Sequence, residues 1–346
     1  MSLLQKTIYS IGPINQQVMD EAQKRLDYIL KPQGSLGKLE DIARQTAGIT
    51  GKVQNRFKKK VIMVMGGDNG VAAENVASFP QDISMLLADC MVRGIAGVAV
   101  LAKHAGADLR VIDLGILKDA PTLGVINRKI RRSTSNLLHE PAMSREEAIH
   151  AIEIGIEETI KVIDEGYDLI GTGEIGIANT TTSSAILHVL TGESLNTVVG
   201  RGAGLSDVGL ARKKEVIRIA VEKHCPDPKD PIDVLAKVGG FDIAGLVGTY
   251  LAAASRKVPV VIDGFISGIA ALVAMRISPY AKDYMFASHG STEPGALIIA
   301  RELGMEPMLF MNMRLGEGTG CALAFHILDA SMVMMNEHGT FADIGM

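Results

Sequence analysis

Tryptophan is absent, and the 346 residues include only 8 phenylalanines and 6 tyrosines. Without a series of aromatic faces there is no platform on which unpaired bases would stack. Charge of one sign is lacking too. The net charge is −4, which favours neither a nucleic acid nor an anionic membrane surface as partner. The basic run Arg56–Lys60 is short and stands just before an apolar stretch, where it reads as a solvated face. Cys90, Cys225 and Cys321 are few, odd in number and far apart, which excludes a disulfide framework and points to a reducing compartment. No Cys-x-x-Cys pair or Cys/His ligand spacing occurs, so no metal is expected. The first residues hold no basic region followed by an apolar core, so no secretory signal is expected and a cytoplasmic location is. Val258–Met275 is apolar but is interrupted by Asp263 and glycines; a buried strand, turn and helix fit it better than a membrane span. Neither G-x-x-x-x-G-K-[ST] nor G-x-S-x-G is present, which removes P-loop hydrolysis and serine-hydrolase chemistry.

What is present is a large apolar fraction, 47%, with 21% charged residues, enough for a substantial core. The length allows two domains or one large α/β domain. Residues 1–58 read as helical, from the spacing of Val18, Ala22, Leu26, Ile29 and Leu30, then of Leu39, Ile42, Ala43 and Ala47. Between them Lys31–Lys38 is a Pro- and Gly-rich turn, either a helix connection or a lysine-bearing loop over an anionic ligand. Six apolar runs follow that read as buried strands: Val61–Met65, Leu109–Leu114, Leu169–Ile170, Val258–Ile262, Tyr284–Ala287 and Met308–Met311. Helical segments alternate with them: Asp82–Ala105, Arg145–Glu165, Thr180–Leu190, Leu210–His224, Phe241–Ser255, Ser267–Met275 and Glu293–Leu303. Ser144 with Glu147 is a capping box. The expected fold is α/β, with a parallel, about six-stranded Rossmann-like sheet covered by helices on both faces. Residues 59–320 would form this large domain. Residues 1–58 and 321–346 would form a small helical subdomain.

Polar and glycine residues gather just after the strands, where ligands of open α/β sheets bind. The stretch Asp168–Thr182 reads as strand, glycine loop and helix start. Its unpaired N–H groups at the helix start, with hydroxyls beside them, favour an anion such as a phosphate. Glu174 in the same loop would repel a phosphate laid directly on it, so it reads as a base or hydrogen-bond acceptor toward another part of a ligand. Gly171, Gly173 and Gly176 also match the dinucleotide fingerprint, so an NAD-dependent oxidoreductase is an alternative. Against it, an acid occupies an x position and no strand ending in Asp or Glu follows at the required distance. A second glycine cluster, Gly200–Asp207 with Gly202, Ala203 and Gly204, leads into a basic helix start with Lys213; it reads as a phosphate grip or a crossover. In a third, Glu317 lies between two glycines just after a predicted strand, where shielding would raise its pKa and suit it to general-base work. Ser78–Asp82 and Met85 could make an apolar slot for a planar ring or simply pack. Asp263 and Gly264, then His289, Gly290 and Ser291, follow two further strands as ligand contacts or capped turns.

Seven motifs, in order, carry a resemblance: PQGSLGKLE, MGGDNGVAAENVASFPQDI, GTGEIGIANTTTSSA, GRGAGLSD, IDGFISGIAAL, SHGSTEPG and RLGEGTGCALA. From about residue 30 onward the chain resembles the nicotinate-nucleotide:dimethylbenzimidazole phosphoribosyltransferase family of cobalamin lower-ligand assembly. The resemblance implies a homodimer without a cofactor that takes small-molecule substrates. A benzimidazole nitrogen attacks C1′ of nicotinate mononucleotide, nicotinate leaves and α-ribazole 5′-phosphate forms. It implies Glu317 as base with Glu174 as a second carboxylate. The phosphate and ribose would lie on Gly176–Thr180 and Gly202–Gly204, with Lys213 adding charge. Phe79, Pro80, Gln81, Met85, Ile175 and Leu315 would line the base pocket, and Asp263, Gly264, His289, Gly290 and Ser291 the nicotinate side. Another benzimidazole, a purine or a phenolic is also compatible as the incoming base.

Overall fold

A computed structural model describes residues 1–119 and 123–346. Three helices come first: α1 (Leu3–Ser10), α2 (Gln16–Tyr28) and α3 (Lys38–Thr50). Then follow β1 (Lys60–Gly67), α4 (Asp82–Val92), α5 (Gly97–His104), β2 (Ala107–Gly115), β3 (Ile126–Asn127), α6 (Arg145–Asp164) and β4 (Leu169–Ile175). Next are α7 (Asn179–Thr191), α8 (Leu195–Val198), α9 (Asp207–His224), α10 (Pro231–Val238) and α11 (Phe241–Ser255). The chain ends with β5 (Val260–Ile262), α12 (Phe265–Ile277), β6 (Met285–Ala287), α13 (Ala296–Leu303) and α14 (Thr319–Glu337).

The six strands form one sheet in the order β3-β2-β1-β4-β5-β6, and every pairing is parallel. β1 and β4 are central and buried on both faces, which is why β1 reads from Val61 as an unbroken apolar and glycine run, while β4 also buries Thr172 and Glu174. Chain order runs outward to one side from β1 and to the other from β4. The topological switch therefore lies between these two strands, and a crevice is expected outside their carboxyl ends.

One expected strand is corrected. Met308–Met311 is not a sheet strand; it makes a single bridge, His289 with Leu309, while Phe310 and Met311 stay exposed. A short apolar run does not by itself say that it is buried. The sixth strand is instead the two-residue β3, which has no apolar run to mark it. The expected helix Asp82–Ala105 is also two helices, because Gly94 takes a left-handed φ of 78° and ends the first. That stretch, with mean hydropathy 1.8 over its most apolar part, is the one helical stretch among the described residues long and apolar enough to cross a membrane. Ser144 and Glu147 do form the capping box, with reciprocal bonds of 3.0 and 2.8 Å.

α3 packs on α2 and α14, whereas α1 packs on α6 and α11. The Lys31–Lys38 turn is closed by a buried Lys31–Glu40 ion pair at 2.8 Å, and Lys38 pairs with Glu306 at 2.8 Å, so both lysines are occupied as a helix connection would require. α11 is buried along almost its whole length and crosses α6 at glycines. A Cβ on Gly155 would stand 2.0 Å from the Gly245 oxygen, and one on Gly248 2.0 Å from the Ile152 oxygen. Backbone meets backbone there, and α11 is thereby held with its first turn at the strand ends: a Cβ on Gly67 would meet the Asp242 nitrogen at 3.0 Å.

Gly155→Ala should therefore lower unfolding stability by about 1–3 kcal/mol through overpacking. Gly12→Ala, with nothing within 4 Å of the new methyl, should change it by less than about 0.5 kcal/mol. Urea melts of the two variants decide this; equal midpoints would mean that the helices part freely.

Candidate active site

A cavity of 460 Å³ opens where the crevice is expected, bordered by the ends of β4, β5 and β6, the starts of α7 and α12, α4, and the loop before α14. β4 ends in Glu174-Ile175 and the chain turns through Gly176–Ala178 into α7. Gly176 cannot be another residue without movement, because a Cβ would stand 2.0 Å from the Gly67 oxygen. Ala178 is left-handed at φ 69°, and α7 begins at Asn179 without a side-chain cap; the Asn179 and Thr181 N–H groups turn back to the Gly176 and Ala178 oxygens at 3.4 and 2.9 Å, and the Ile177 N–H is held by Asp68 and Ser84. Lys213 reaches this mouth from α9. It is fully buried, and its Nζ donates to Thr180 Oγ1 at 2.8 Å and to the Gly200 oxygen at 3.2 Å. Burial pushes its pKa down to about 8, against the opposing pull of the Glu293 charge.

Carboxylates form the opposite wall. Gly316, Glu317 and Gly318 are consecutive left-handed residues at φ 78°, 64° and 103°. This bend lies directly on β4, where a Cβ on Gly173 would stand 2.2 Å from the Glu317 oxygen. Asp263, one residue past β5, holds the bend with both oxygens, accepting from the Gly318 nitrogen at 3.0 Å and the Gly320 nitrogen at 2.7 Å. Glu174 Oε1 accepts from the Glu317 nitrogen at 3.3 Å. The Glu317 carboxylate is thereby turned into the cavity, where its Oε2 accepts from the Val98 nitrogen, at the start of α5, at 3.4 Å. Burial raises its pKa; the helix-start N–H and the Asp263 charge pull in opposite directions.

Behind this bend is a second pair of acids. Asn179 Nδ2 donates to Glu174 Oε2 at 2.5 Å and to Asp242 Oδ2 at 3.1 Å. Burial pushes Glu174 up to about 8, with further rises from the Asp242 and Asp263 charges. Burial likewise pushes Asp242 up to about 7. Asp263 is also raised by burial, although His289 and three backbone N–H groups pull it down.

Most residues singled out from the sequence meet in this one cavity: Glu317, Glu174, Gly176, Ile177, Asn179, Thr180, Gly202, Ala203, Phe79, Ile175, Leu315, Asp263, Gly264, His289 and Ser291. Ala178 lines an adjoining cavity of 90 Å³, and Lys213 lies behind Thr180. Five do not reach the wall. Gln81 turns its amide to the Asn69 oxygen at 3.1 Å and to Ser133 Oγ at 3.3 Å. Pro80 accepts the Ile83 N–H in the first turn of α4, and Gly290 pairs with the Leu309 oxygen under the Phe310 ring. Gly204 stands outside the lining, and Met85 packs on the core. The apolar wall comes instead from Ile83 and Leu87, four residues apart on one face of α4, with Met85 turned away between them. Phe265, Ile266, Ser267, Glu293, Arg314 and Gly316 also line the cavity. Asp242 was not foreseen either: an acid in the first turn of a helix reads as ordinary dipole compensation.

The oxidoreductase alternative fails on backbone geometry. Gly171 and Gly173 are not in a loop but inside β4, paired in register with β1. Gly171 faces Cys321 and Phe325, and Gly173 faces Glu317.

Fold and cavity together define a doubly wound α/β enzyme whose cleft, at the switch point, sets a helix mouth against a carboxylate wall. A family model described as Phosphoribosyltransferase matches residues 11–346. The nicotinate-nucleotide–dimethylbenzimidazole phosphoribosyltransferase of Ruminiclostridium cellulolyticum is 51% identical over 339 residues, covering 98% of this chain and 96% of that protein. Its counterpart in Acetivibrio thermocellus is 48% identical over 341 residues, covering 99% of this chain and 97% of that protein. The crystal structure of the same-named enzyme from Thermus thermophilus superposes with a TM-score of 0.91 at 34% identity, covering 96% of this chain and 99% of that one. The chain belongs to this phosphoribosyltransferase family, and it is a pentosyl-transferring enzyme.

The raised acids predict a pH dependence of stability. Burial lifts the pKa of Glu174 from the ordinary 4.5 of an unfolded chain to about 8, and that of Asp242 from 3.8 to about 7. Between these values the folded state binds more protons, so stability is fully present below the lower values and is lost as pH rises through the upper ones. Lys213 acts in the opposite sense, but only above about 8. The melting temperature should fall from about pH 5 to about pH 8, and Glu174→Gln should flatten that slope. A slope unchanged in the variant, read by thermal unfolding across pH, would show that Glu174 titrates normally.

Proposed function

We propose that the enzyme transfers the phosphoribosyl group of nicotinate mononucleotide to 5,6-dimethylbenzimidazole or a related aromatic base, giving α-ribazole 5′-phosphate and nicotinate for the cobalamin nucleotide loop. The observation that carries this reading is the placement of Glu317. It is a shielded carboxylate that accepts the Val98 N–H, carried on a bend pinned by Glu174 and Asp263, in the same cavity as the Gly176–Thr180 helix mouth. The 5′-phosphate lies on that mouth and on Gly202-Ala203, with Lys213 behind adding a positive charge. The incoming base slides between Phe79, Ile83, Leu87, Ile175 and Leu315. Pyridinium is a good leaving group, so departure of nicotinate needs no acid. The ring N–H of the nucleophile becomes acidic as its other nitrogen bonds to C1′, and Glu317 takes that proton. The wall of acids also stabilises the positive charge that develops on the ribose carbon. Nicotinate leaves toward Asp263, Gly264, His289 and Ser291.

Three further readings accompany it. The enzyme works in the cytoplasm. The helices of residues 1–58 and 321–346 act as a small subdomain beside the 59–320 domain. The working unit is a homodimer, for which the exposed Phe310, Met311 and Leu315 supply an apolar surface to cover. Sedimentation at the mass of one chain would remove the dimer.

Incubation with the mononucleotide and dimethylbenzimidazole should release nicotinate and yield a product of the summed mass less nicotinate. Glu317→Ala should fold as the parent does and lose about 10²–10⁴-fold in rate, the contribution of a positioned base. Undiminished release in that variant would take Glu317 out of the chemistry.

A further inference from the structure

Four acids line the cavity, and among the described residues three of them are held by donors of the protein. Glu174 accepts on both oxygens, from Asn179 and from the Glu317 N–H. Asp263 accepts on both, from the Gly318 and Gly320 N–H groups, and Glu317 accepts from Val98. Glu293 is the fourth, and no described residue donates to its carboxylate. It lies in the segment after β6 that also carries His289 and Ser291, and its own N–H is bound by Ser291 Oγ at 3.4 Å. Its Oε2 is buried against Gly200 without a partner; a Cβ there would stand 1.9 Å from it, so a side chain at 200 would push the carboxylate off the wall. The nearby cations do not take it up. Lys213 donates to Thr180 and to the Gly200 oxygen instead, Arg314 is exposed, and neither forms an ion pair with Glu293 among the described residues.

Position and chemistry narrow what this acceptor is for. On one side it rests on Gly200, whose oxygen Lys213 binds at the mouth of α7. On the other, Ser291 is two residues away. Glu293 therefore stands between the phosphate grip and the nicotinate side, and in nicotinate mononucleotide the group between phosphate and nicotinate is the ribose. A polar group left without a partner as the cavity fills is costly, so a donor has to come from the ligand. A phosphate dianion and the nicotinate carboxylate bring acceptors only, and a carboxylate repels both. The ring N–H of the incoming base goes to Glu317. The donors that remain are the two ribose hydroxyls.

We infer that Glu293 is a specificity-determining residue of the transfer reaction, its carboxylate accepting a hydrogen bond from a ribose hydroxyl of the mononucleotide. This rests on the reaction proposed above. The contact moves no proton and breaks no bond. It orients the sugar between the phosphate, held at α7, and the departing nicotinate, so that C1′ faces the incoming base. A site built around a hydroxyl rejects the analogue that lacks it, because the acceptor is then left unpaired.

The test compares kcat/KM for nicotinate mononucleotide with that for its 2′-deoxy and 3′-deoxy counterparts, dimethylbenzimidazole being the acceptor throughout, in the parent and in Glu293→Ala. The preference for the ribonucleotide over one of the two deoxynucleotides should shrink by about 10–100-fold in the variant, the difference made by a hydroxyl bonded to a charged acceptor. The deoxynucleotide that shows the change identifies the hydroxyl. Taking ratios cancels the intrinsic reactivity of each analogue and any general loss in the variant. If Glu293 served only as a counter-charge to Lys213 or Arg314, all three substrates would suffer equally. Both ratios would then stay at their parent values, and the proposal would be overturned. Should Glu293→Ala not fold, Glu293→Gln keeps the size with a weaker, neutral acceptor. It should narrow the same ratio by a smaller factor, and unchanged ratios overturn the proposal equally. Absence of nicotinate release by the parent enzyme would fail the reaction itself, which is a separate result; the hydroxyl contact is then read from the binding constants of the same three nucleotides.

Discussion

The two backbone hydrogen bonds that Asp263 accepts, from Gly318 and Gly320, are what the cavity depends on. A helix start exposes N–H groups that require acceptors. Here the acceptor is not a local cap but an acid brought by β5, which ties the first turn of α14 to the sheet. The tie makes tolerable a bend of three left-handed residues, one of them a glutamate, a conformation that costs about 1–3 kcal/mol for a residue with a side chain. Glu174, from the neighbouring strand, takes the next N–H along. The chemistry of the cavity therefore rests on carboxylates whose first task is to hold backbone.

That arrangement has an electrostatic consequence. Glu174, Asp242, Asp263 and Glu317 lie close together out of water, and burial raises all four. Four full charges there would repel one another and any phosphorylated ligand. Hydrogen bonds from Asn179 and from backbone N–H groups offset part of that charge, and the helix start of α7 and the buried Lys213 add positive potential beside it.

Much of this was legible beforehand. The strands β1, β2 and β4 announced themselves as apolar runs, and Phe241–Ser255 falls on its expected helix. Glu174 and Glu317 were singled out because glycines flank them past strands. The misreadings share a cause. Met308–Met311 and Met85 are apolar, and composition does not say toward which side an apolar residue turns. Gly171 and Gly173 spell a loop motif, yet they lie in a strand, where Gly173 leaves room for the bend at Glu317 and Gly171 for Cys321 and Phe325. Asp242 escaped notice because its partner Asn179, and Glu174 beyond it, are far from it in the chain.

Hydrophobic periodicity and glycine placement are local properties. They were sufficient to set the parallel α/β class, most of the elements, and the loops in which polar residues gather at strand ends. Whether an acid is charged, which carboxylate holds backbone and which is free for chemistry, and which face of α4 lines the cavity all depend on groups that only folding brings within a few ångströms. Electrostatic and hydrogen-bond energies fall off over that distance, so tertiary structure alone decided them.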